Sequence, residues 1–308
     1  MTRMKILRKK VLISGANGLL GQKCVSVFLK DYEVYGADIQ EKAFADYRHY
    51  HYVTCDITSR NQVNELVKNI EPDFIINAAA YTNVDACEED RETCWKVNVN
   101  GIENLAKAAF KKHIFIVHIS TDYIFDGESG PYSEDSKPNP LGYYGRSKLA
   151  GENALIASGA QNAILRTMVL YGCGENLRDN FALWLLKMLQ SGKEVTIVDD
   201  QYGHPTIVDD LAKAILKVVE KKQTGVFHVT GSEYVNRLEF AHELADVFGL
   251  RKDLIKAIKT SDLNQKAPRP FRSEFNLDKL RRELGITTMN VRDSLLLLKE
   301  QLEQKSSL

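Results

Sequence analysis

The sequence has no excess of either charge, no long apolar run and no cysteine pair at metal-ligand spacing. Lys+Arg and Asp+Glu each total 41 among the 308 residues. A net charge of zero provides no field that would favour nucleic acid or an anionic membrane surface. The hydrophobic fraction of 44% and the charged fraction of 27% are typical of an ordinary globular protein with a sizeable core.

Targeting and membrane signals are also missing. The basic residues at the start of the chain are Arg3, Lys5, Arg8, Lys9 and Lys10. They lead only into Val11-Leu12-Ile13, which is shorter than the apolar core of a signal peptide, and no later run reaches a membrane-spanning length. We therefore expect a cytoplasmic protein without a membrane partner.

Cysteine and histidine provide no metal site. The five cysteines are an odd set without Cys-x-x-Cys spacing, so we expect reduced, structural thiols. His49 and His51 alternate on a predicted strand, but no carboxylate or cysteine accompanies them at ligand spacing. We interpret the two histidines as a solvated strand face and predict no metal.

The first 170 residues alternate short β-branched runs with helical patterns. The predicted strands are Val11–Ser14, Glu33–Asp38, Tyr50–Asp56, Phe74–Ala78, Ile114–Ser120 and Ala163–Leu170. Between them, helices are predicted that include Glu92–Phe110 and Gly145–Ala157. Nearly continuous apolar strands that alternate with helices indicate a parallel sheet covered on both faces. Right-handed crossovers then favour an α/β fold with a doubly wound, Rossmann-like sheet.

The pattern changes after Tyr171, where helices dominate. The predicted helices are Asn180–Gln190, Asn236–Phe248 and Asp278–Leu284. We expect a dinucleotide-binding domain over residues 1–172 and a smaller, mainly helical substrate-binding lobe over 173–308. Residues 206–230 read as one more helix–strand unit that returns to the sheet.

A glycine turn follows the first strand and opens the first helix, with the sequence Gly15-Ala16-Asn17-Gly18-Leu19-Leu20-Gly21. Glycines at such a turn permit positive φ and a close approach to a pyrophosphate, which the helix N-terminus attracts. The alternative is an ordinary tight β–α turn. Asp38 ends the second strand, where an acid would hold the ribose hydroxyls. Because no arginine follows Asp38, we favour NADH over NADPH, although either cofactor fits the pattern.

Tyr144 and Lys148 are four residues apart where a helix begins, so both side chains lie on one helix face. A tyrosine titrates near ~10 and is a weak acid or base at neutral pH. A neighbouring ammonium favours the phenolate, and we therefore expect Lys148 to lower the pKa of Tyr144. Tyr143 is not expected to be the acid, because Ser147 occupies its i+4 position.

Four further stretches carry a family resemblance. They are Asn77–Asp85 (Asn-Ala-Ala-Ala-Tyr-Thr-Asn-Val-Asp), Ser120–Gly127 (Ser-Thr-Asp-Tyr-Ile-Phe-Asp-Gly), Asp200–Thr206 (Asp-Gln-Tyr-Gly-His-Pro-Thr) and Arg269-Pro270. With the glycine turn and the Tyr144/Lys148 pair, the chain resembles the extended short-chain dehydrogenase/reductases. Within them it is similar to the dTDP-4-dehydrorhamnose reductase family, over almost the whole chain and in the same order.

The resemblance implies an NAD(P)H-dependent reduction of dTDP-4-dehydro-6-deoxy-L-mannose to dTDP-L-rhamnose by a homodimer. Tyr144 would donate a proton to the sugar C4 oxygen, Lys148 would bind the nicotinamide ribose, and Thr121 would hold the developing alkoxide. The alternative for Thr121 is a residue that caps the turn after its strand. The implied cofactor-binding residues are Gly15, Asn17, Gly18, Leu19, Leu20, Gly21, Asp38, Asp56, Ile57, Ala78, Ala79, Ala80, Tyr144 and Lys148.

The implied substrate-binding residues are Thr82, Val84, Thr121, Asp122, Tyr123, Asn180, Phe181 and Arg269. Arg269 would clamp the diphosphate, and its alternative is a surface ion pair. Three positions depart from the family pattern. Val169 stands where a tryptophan is common, Arg272 where asparagine is frequent, and Phe275 where leucine is frequent.

These departures leave two alternatives open. One is a reductase or epimerase of another nucleotide sugar. The other is a non-catalytic relative, since the regulatory β subunit of methionine adenosyltransferase is similar and carries the Tyr/Lys pair.

Overall fold

The computed structural model of the chain describes residues 8–306. Arg3 and Lys5 of the basic start lie outside the described residues. Within 8–306, no helix is both long enough and apolar enough to cross a bilayer.

The strands, in chain order, are β1 (Lys10–Ser14), β2 (Glu33–Asp38), β3 (Tyr50–Thr54), β4 (Phe74–Asn77), β5 (Phe115–Thr121), β6 (Asn162–Thr167), β7 (Leu170–Tyr171), β8 (Val195–Val198), β9 (Tyr202–Gly203), β10 (Thr206–Ile207), β11 (Gly225–His228), β12 (Val235–Asn236) and β13 (Ile255–Ile258). The α-helices are α1 (Leu19–Phe28), α2 (Arg60–Ile70), α3 (Val84–Glu89), α4 (Arg91–Trp95), α5 (Ile102–Lys112), α6 (Tyr143–Ala157), α7 (Phe181–Gln190), α8 (Val208–Lys221), α9 (Arg237–Phe248) and α10 (Val291–Ser306).

Seven strands form one parallel sheet in the order β11-β6-β5-β4-β1-β2-β3. Apolar side chains of α1 and α8 pack on one face of this sheet, and those of α2 and α5 pack on the other. The predicted doubly wound α/β fold is confirmed. The strand order reverses between β1 and β4, and ligands of such folds bind in the crevice at the carboxyl ends of the strands there.

One predicted strand ends earlier than expected, and one predicted helix is divided into three parts. Strand β6 was expected to run to Leu170, but it ends at Thr167, because Val169 has a φ of +47° and the chain leaves the sheet. β7 then pairs with β10 in a separate two-stranded sheet. The single helix predicted over Glu92–Phe110 is divided into α4, a π-helical turn (Lys96–Gly101) and α5. Within this turn, the Asn98 side chain bonds both main-chain polar groups of Tyr81.

The part after residue 172 has a core of its own. Side chains of α7, α9 and α10 pack with those of the parallel pair β8 and β13. Helix α10 was not predicted, although Val291, Leu295 and Leu298 recur at helical spacing and are buried. The predicted segment Asp278–Leu284 is helical, with a π-helical turn from Leu280. Strand β11 pairs with β6 at the edge of the large sheet, and helix α8 packs on a face of that sheet. The division of the chain at residue 172 stays a prediction.

Candidate active site

The glycine turn between β1 and α1 lies against the loop that follows β4. Gly15 has a φ of +74°, and a Cβ at this residue would lie 2.6 Å from the Ala79 nitrogen. A Cβ at Gly21 would lie 2.1 Å from the Gly15 carbonyl oxygen. The two glycines therefore allow a main-chain approach that any other residue would prevent. Helix α1 begins after Gly18 without a side-chain cap, so its first N–H groups are open to a ligand.

Asp38 is held at the end of β2 by the same turn. Its Oδ2 accepts from the Asn17 main-chain N–H at 3.1 Å, and its Oδ1 accepts from the Ile39 N–H at 2.8 Å. Asn17 was predicted to bind the cofactor, but its side chain bonds the main chain of the loop after β2. Its amide nitrogen donates to the Lys42 carbonyl oxygen at 2.8 Å, and its amide oxygen accepts from the Phe44 N–H at 3.0 Å. Asn17 therefore orders the loop after β2.

A cavity of about 480 Å³ opens at the carboxyl ends of the strands. The predicted residues that line it are Gly18, Leu19, Leu20, Gly21, Ala78, Ala79, Ala80, Thr82, Val84, Thr121, Asp122, Tyr123, Tyr144 and Lys148. These residues come from four separate segments of the chain. The fold thus brings most of the predicted cofactor and substrate positions to one place.

Helix α6 presents Tyr144 and Lys148 to this cavity. The helix begins at Tyr143, so both residues lie within it and are 8% and 2% exposed. The Lys148 ammonium donates to the Ile119 carbonyl oxygen at 2.6 Å. Burial lowers the pKa of Lys148 to about 8, and the carboxylate of Glu152 opposes the decrease. The lysine is therefore anchored to β5, next to the strand end that carries Thr121.

The expected decrease in the pKa of Tyr144 is not observed. Burial of the phenol raises the pKa of Tyr144, and the negative charge of Asp122 raises it further, while the Thr121 hydroxyl acts in the opposite direction. The prediction was wrong because spacing places a cation on the same helix face, whereas burial depends on the whole fold. The neighbouring Tyr143 packs near Trp95 and Arg91, at 6.4 and 5.1 Å, and does not line the cavity.

Thr121 and Asp122 occupy the end of β5. The Thr121 hydroxyl donates to Asp122 Oδ1 at 3.0 Å and accepts from the Tyr123 N–H at 3.3 Å. Thr121 therefore caps the following turn and also lines the cavity. Burial raises the pKa of Asp122 to about 6, and the Ser273 and Thr121 side chains, followed by the positive charge of Arg237, partly oppose the increase.

Besides Gly15, Asn17 and Asp38, two further predicted cofactor positions, Asp56 and Ile57, do not line the cavity. Ile57 is buried between α2 and α5, where a Cβ at Gly101 would lie 2.6 Å from its Cδ1. Asp56 Oδ1 accepts from the Thr58 N–H at 2.8 Å and so orders the turn after β3. The structure gives both residues a local packing or turn role.

Three predicted substrate residues also lie outside the main cavity wall. Asn180 begins α7, and its amide donates to the Gly172 carbonyl oxygen at 2.7 Å. Phe181 stacks against Trp184 with ring centroids 6.1 Å apart. Arg269 forms two hydrogen bonds with the Asp85 carboxylate, at 2.9 and 2.7 Å. The structure therefore places Arg269 in the ion pair that was its alternative interpretation.

Arg237, the first residue of α9, was not predicted as a site residue. It lines the main cavity and an adjoining cavity of about 60 Å³. Its guanidinium lies 5.1 Å from the Phe181 ring centre and forms no hydrogen bond with another residue in 8–306. Burial lowers the pKa of Arg237, and the neighbouring Tyr123 and Asp122 oppose the decrease. The capping box of Asn236 and Glu239 marks the start of α9 and was the available signal.

The three departures occupy different environments. Val169 lines both cavities and has a positive φ. Its carbonyl oxygen accepts a hydrogen bond from the Thr206 N–H at 3.1 Å. Phe275 is buried and stacks on His228 at 3.8 Å. Arg272 lies over the Tyr202 ring at 5.5 Å. Only Val169 therefore faces the main cavity.

The histidine pair binds a carboxylate. His49 Nδ1 and His51 Nε2 lie 2.9 and 2.5 Å from the two oxygens of Glu33. The hydrogen bond with His51 is the main cause that lowers the pKa of Glu33. Within residues 8–306, no cluster of three or more histidine, cysteine, aspartate or glutamate residues could hold a metal ion.

The chain is similar to proteins of known families over nearly its whole length. A family described as the RmlD substrate binding domain matches residues 9–304. A dTDP-4-dehydrorhamnose reductase of Aggregatibacter actinomycetemcomitans is 34% identical over 291 residues, which cover 90% of this chain and 94% of that protein. Methionine adenosyltransferase 2 subunit beta of Xenopus tropicalis is 32% identical over 285 residues, which cover 90% of this chain and 83% of that protein.

A solved structure of similar sequence has the same fold as this chain. The dTDP-4-dehydrorhamnose reductase of Bacillus anthracis, crystallised in complex with NADP, superposes with a TM-score of 0.88 at 30% identity. The superposition covers 96% of this chain and 100% of that one.

Proposed function

This chain belongs to the family described as the RmlD substrate binding domain, and on that premise we propose that it reduces a nucleotide-linked sugar. It is an NAD(P)-dependent oxidoreductase that acts on the C4 keto group. The observation that carries the proposal is the convergence of the Tyr144 phenol, the Lys148 ammonium and the Thr121 hydroxyl on one cavity beside the glycine turn.

The residues present fit a dinucleotide. Gly15 and Gly21 leave space that a side chain would fill, and the uncapped start of α1 provides N–H groups for a pyrophosphate. The Asp38 carboxylate would accept hydrogen bonds from ribose hydroxyls, and it would repel a 2′-phosphate. We therefore expect NADH to be preferred, although the similar Bacillus anthracis enzyme was crystallised with NADP.

The residues of the chain divide the work of the reduction. When bound, the nicotinamide cofactor supplies the hydride that adds to the carbonyl carbon. Tyr144 donates its phenol proton to the carbonyl oxygen, and the Thr121 hydroxyl holds that oxygen as negative charge develops. Lys148 keeps a positive charge at the cofactor side of the site while it is anchored to the Ile119 carbonyl oxygen.

The raised pKa of Tyr144 suits a proton donor. A phenol with a raised pKa is fully protonated at neutral pH, which is the form that a reduction consumes. The Lys148 ammonium lines the same cavity, and we expect it to stabilise the phenolate that remains after the transfer.

The substrate we propose is dTDP-4-dehydro-6-deoxy-L-mannose, reduced to dTDP-L-rhamnose. The similarity to dTDP-4-dehydrorhamnose reductases supports this choice. The Arg237 guanidinium, which forms no hydrogen bond within residues 8–306, lies in the cavity wall and supports an anionic ligand such as a diphosphate. Val169, which replaces a bulky aromatic residue, leaves room for a different sugar and keeps another nucleotide sugar as the second substrate hypothesis.

The test is an assay with the purified protein and dTDP-4-dehydro-6-deoxy-L-mannose. Oxidation of NADH and of NADPH is followed separately, and the sugar product is identified by NMR. We expect turnover with at least one cofactor and a higher kcat/KM for NADH. If neither cofactor is oxidised, the proposal for this substrate is wrong.

A matched pair of tyrosine variants tests the proton donor. Tyr144→Phe removes the phenol oxygen and is expected to lower kcat by ~10²–10⁴, because general acid catalysis contributes that factor. Tyr143→Phe removes the neighbouring phenol, which lies outside the cavity, and is expected to retain activity. Full activity of Tyr144→Phe would contradict the mechanism.

A second candidate function is regulatory. It rests on the 32% identity to methionine adenosyltransferase 2 subunit beta of Xenopus tropicalis. This hypothesis predicts a stable complex with a methionine adenosyltransferase on size-exclusion chromatography and no oxidation of either cofactor. The same experiment on the protein alone tests the predicted homodimer, which would elute at twice the mass of 34.8 kDa.

A further inference from the structure

Asp122 is a buried carboxyl group that the proposed reduction has not used. It is 6% exposed and lines both cavities. The hydrogen bond from the Thr121 hydroxyl, at 3.0 Å, is the side-chain contact that fixes its Oδ1. The Ser273 and Thr121 side chains both favour the Asp122 carboxylate, but burial outweighs them.

The titratable groups that face Asp122 come from three elements. Tyr144 faces it from α6, Arg237 faces it from the start of α9, and its neighbour Tyr123 lies on the same turn. Tyr123 is in turn influenced by the ion pair of Arg269 and Asp85. Burial exceeds the effect of the Arg237 cation, and the pKa of Asp122 rises to about 6. A carboxyl group of this kind changes charge near neutral pH.

The Thr121 hydroxyl connects this carboxyl group to the proton donor. It donates to Asp122 Oδ1, and it also interacts with the Tyr144 phenol. A hydroxyl group both donates and accepts, so it can pass a proton between two neighbours.

We propose that Asp122 stores the proton that returns to Tyr144 through the Thr121 hydroxyl after each reduction. This inference rests on the proposed function. Tyr144 gives its proton to the substrate oxygen and becomes a phenolate. The Thr121 O–H proton then moves to the phenolate oxygen, while the protonated Asp122 gives its proton to the Thr121 oxygen. Asp122 ends as a carboxylate and takes a new proton from solvent. No electrons move in this relay.

Substrate binding would favour the protonated form of Asp122. At pH 7 a group with a pKa of about 6 is protonated in roughly one molecule in ten. An anion that binds against Arg237 neutralises the cation that favours the Asp122 carboxylate. The pKa of Asp122 therefore rises in the complex, and the protein takes up a proton when the substrate binds.

The first test measures that proton without turnover. Cofactor-loaded protein is titrated with dTDP-glucose, which lacks the keto group, by calorimetry at pH 7 in two buffers of different ionisation enthalpy. We expect uptake of roughly half a proton or more by the wild type and none by Asp122→Asn. Equal uptake by both proteins, or none by the wild type, would overturn the inference.

The second test is the pH dependence of turnover. With the keto sugar, kcat of the wild type is expected to fall as pH rises through the pKa of Asp122 in the complex. Asp122→Asn is expected to have a kcat at least about tenfold lower and independent of pH in that range, with KM changed less than about threefold. A structural role alone would not remove the pH dependence. An unchanged profile in Asp122→Asn refutes the relay.

The Thr121 variants keep the inference testable if Asp122→Asn does not fold. Thr121→Ser retains the hydroxyl and is expected to keep the pH profile, whereas Thr121→Val removes the hydroxyl and is expected to lose it. Identical profiles of the two variants would also refute the relay. A wild type that takes up a proton with dTDP-glucose but oxidises neither cofactor would instead refute the proposed reduction.

Discussion

Replacement of Lys148 by methionine is expected to stabilise the cofactor-free protein and to abolish activity. Lys148 is 2% exposed, and burial lowers its pKa from 10.5 to about 8. At pH 7 this difference costs the folded state about 3 kcal/mol, because each pH unit corresponds to about 1.36 kcal/mol. Methionine has a similar shape and no charge, but it loses the hydrogen bond to Ile119, worth about 1 kcal/mol. The variant should therefore be about 2 kcal/mol more stable at pH 7.

The stability difference between the wild type and Lys148→Met is expected to depend on pH. The folded state binds the Lys148 proton less tightly than the unfolded state, so the cost is full below the folded pKa of about 8. It decreases as pH rises toward the unfolded value of 10.5. The wild type should gain about 2 kcal/mol relative to Lys148→Met between pH 7 and pH 9.5.

Urea unfolding of both proteins at the two pH values measures this difference. Lys299→Met is the matched control, since the Lys299 ammonium also donates to a main-chain oxygen, that of Val247, but outside the cavity. The reasoning would be refuted if Lys148→Met were less stable than the wild type at pH 7. A stability difference that does not change with pH would refute it as well.

Two further variants test the glycine turn and the buried ion pair between Arg166 and Glu152. Gly21→Ala places a Cβ 2.1 Å from the Gly15 carbonyl oxygen, and we expect at least about tenfold weaker cofactor binding by fluorescence titration. Glu152→Leu leaves the buried Arg166 without the carboxylate that it contacts at 2.8 and 3.0 Å, and should cost about 3–5 kcal/mol of unfolding free energy. Adding Arg166→Met should recover most of that loss, and no loss in the single variant would contradict this reasoning.

The sheet and the shared helix face of Tyr144 and Lys148 could be predicted because they depend on local patterns. Alternating apolar strands and helices indicate a parallel sheet, and the boundaries of β2 agree with the prediction. The i, i+4 spacing places Tyr144 and Lys148 on one face wherever the helix lies. The glycine turn gave the position of the crevice, because a turn after the first strand of such a fold lies at the switch point.

The electrostatics of the site could not be predicted from spacing. The pKa of Tyr144 depends on burial by segments far apart in the chain and on the charge of Asp122, which raises it. Arg269 could have faced the ligand or a carboxylate, and only the position of Asp85 decided between them. Arg237 comes from α9, more than a hundred residues after the β5 end that it faces.

The local order of the sequence thus indicated the fold class, the location of the crevice and the shared helix face of Tyr144 and Lys148. These features follow from periodicity and short-range spacing, which a chain carries in its local order. The tertiary structure decided which charges are paired, which groups are buried and which residues complete the cavity wall. Burial and long-range pairing arise only when distant segments pack together, and they set the pKa of Tyr144, Lys148 and Asp122.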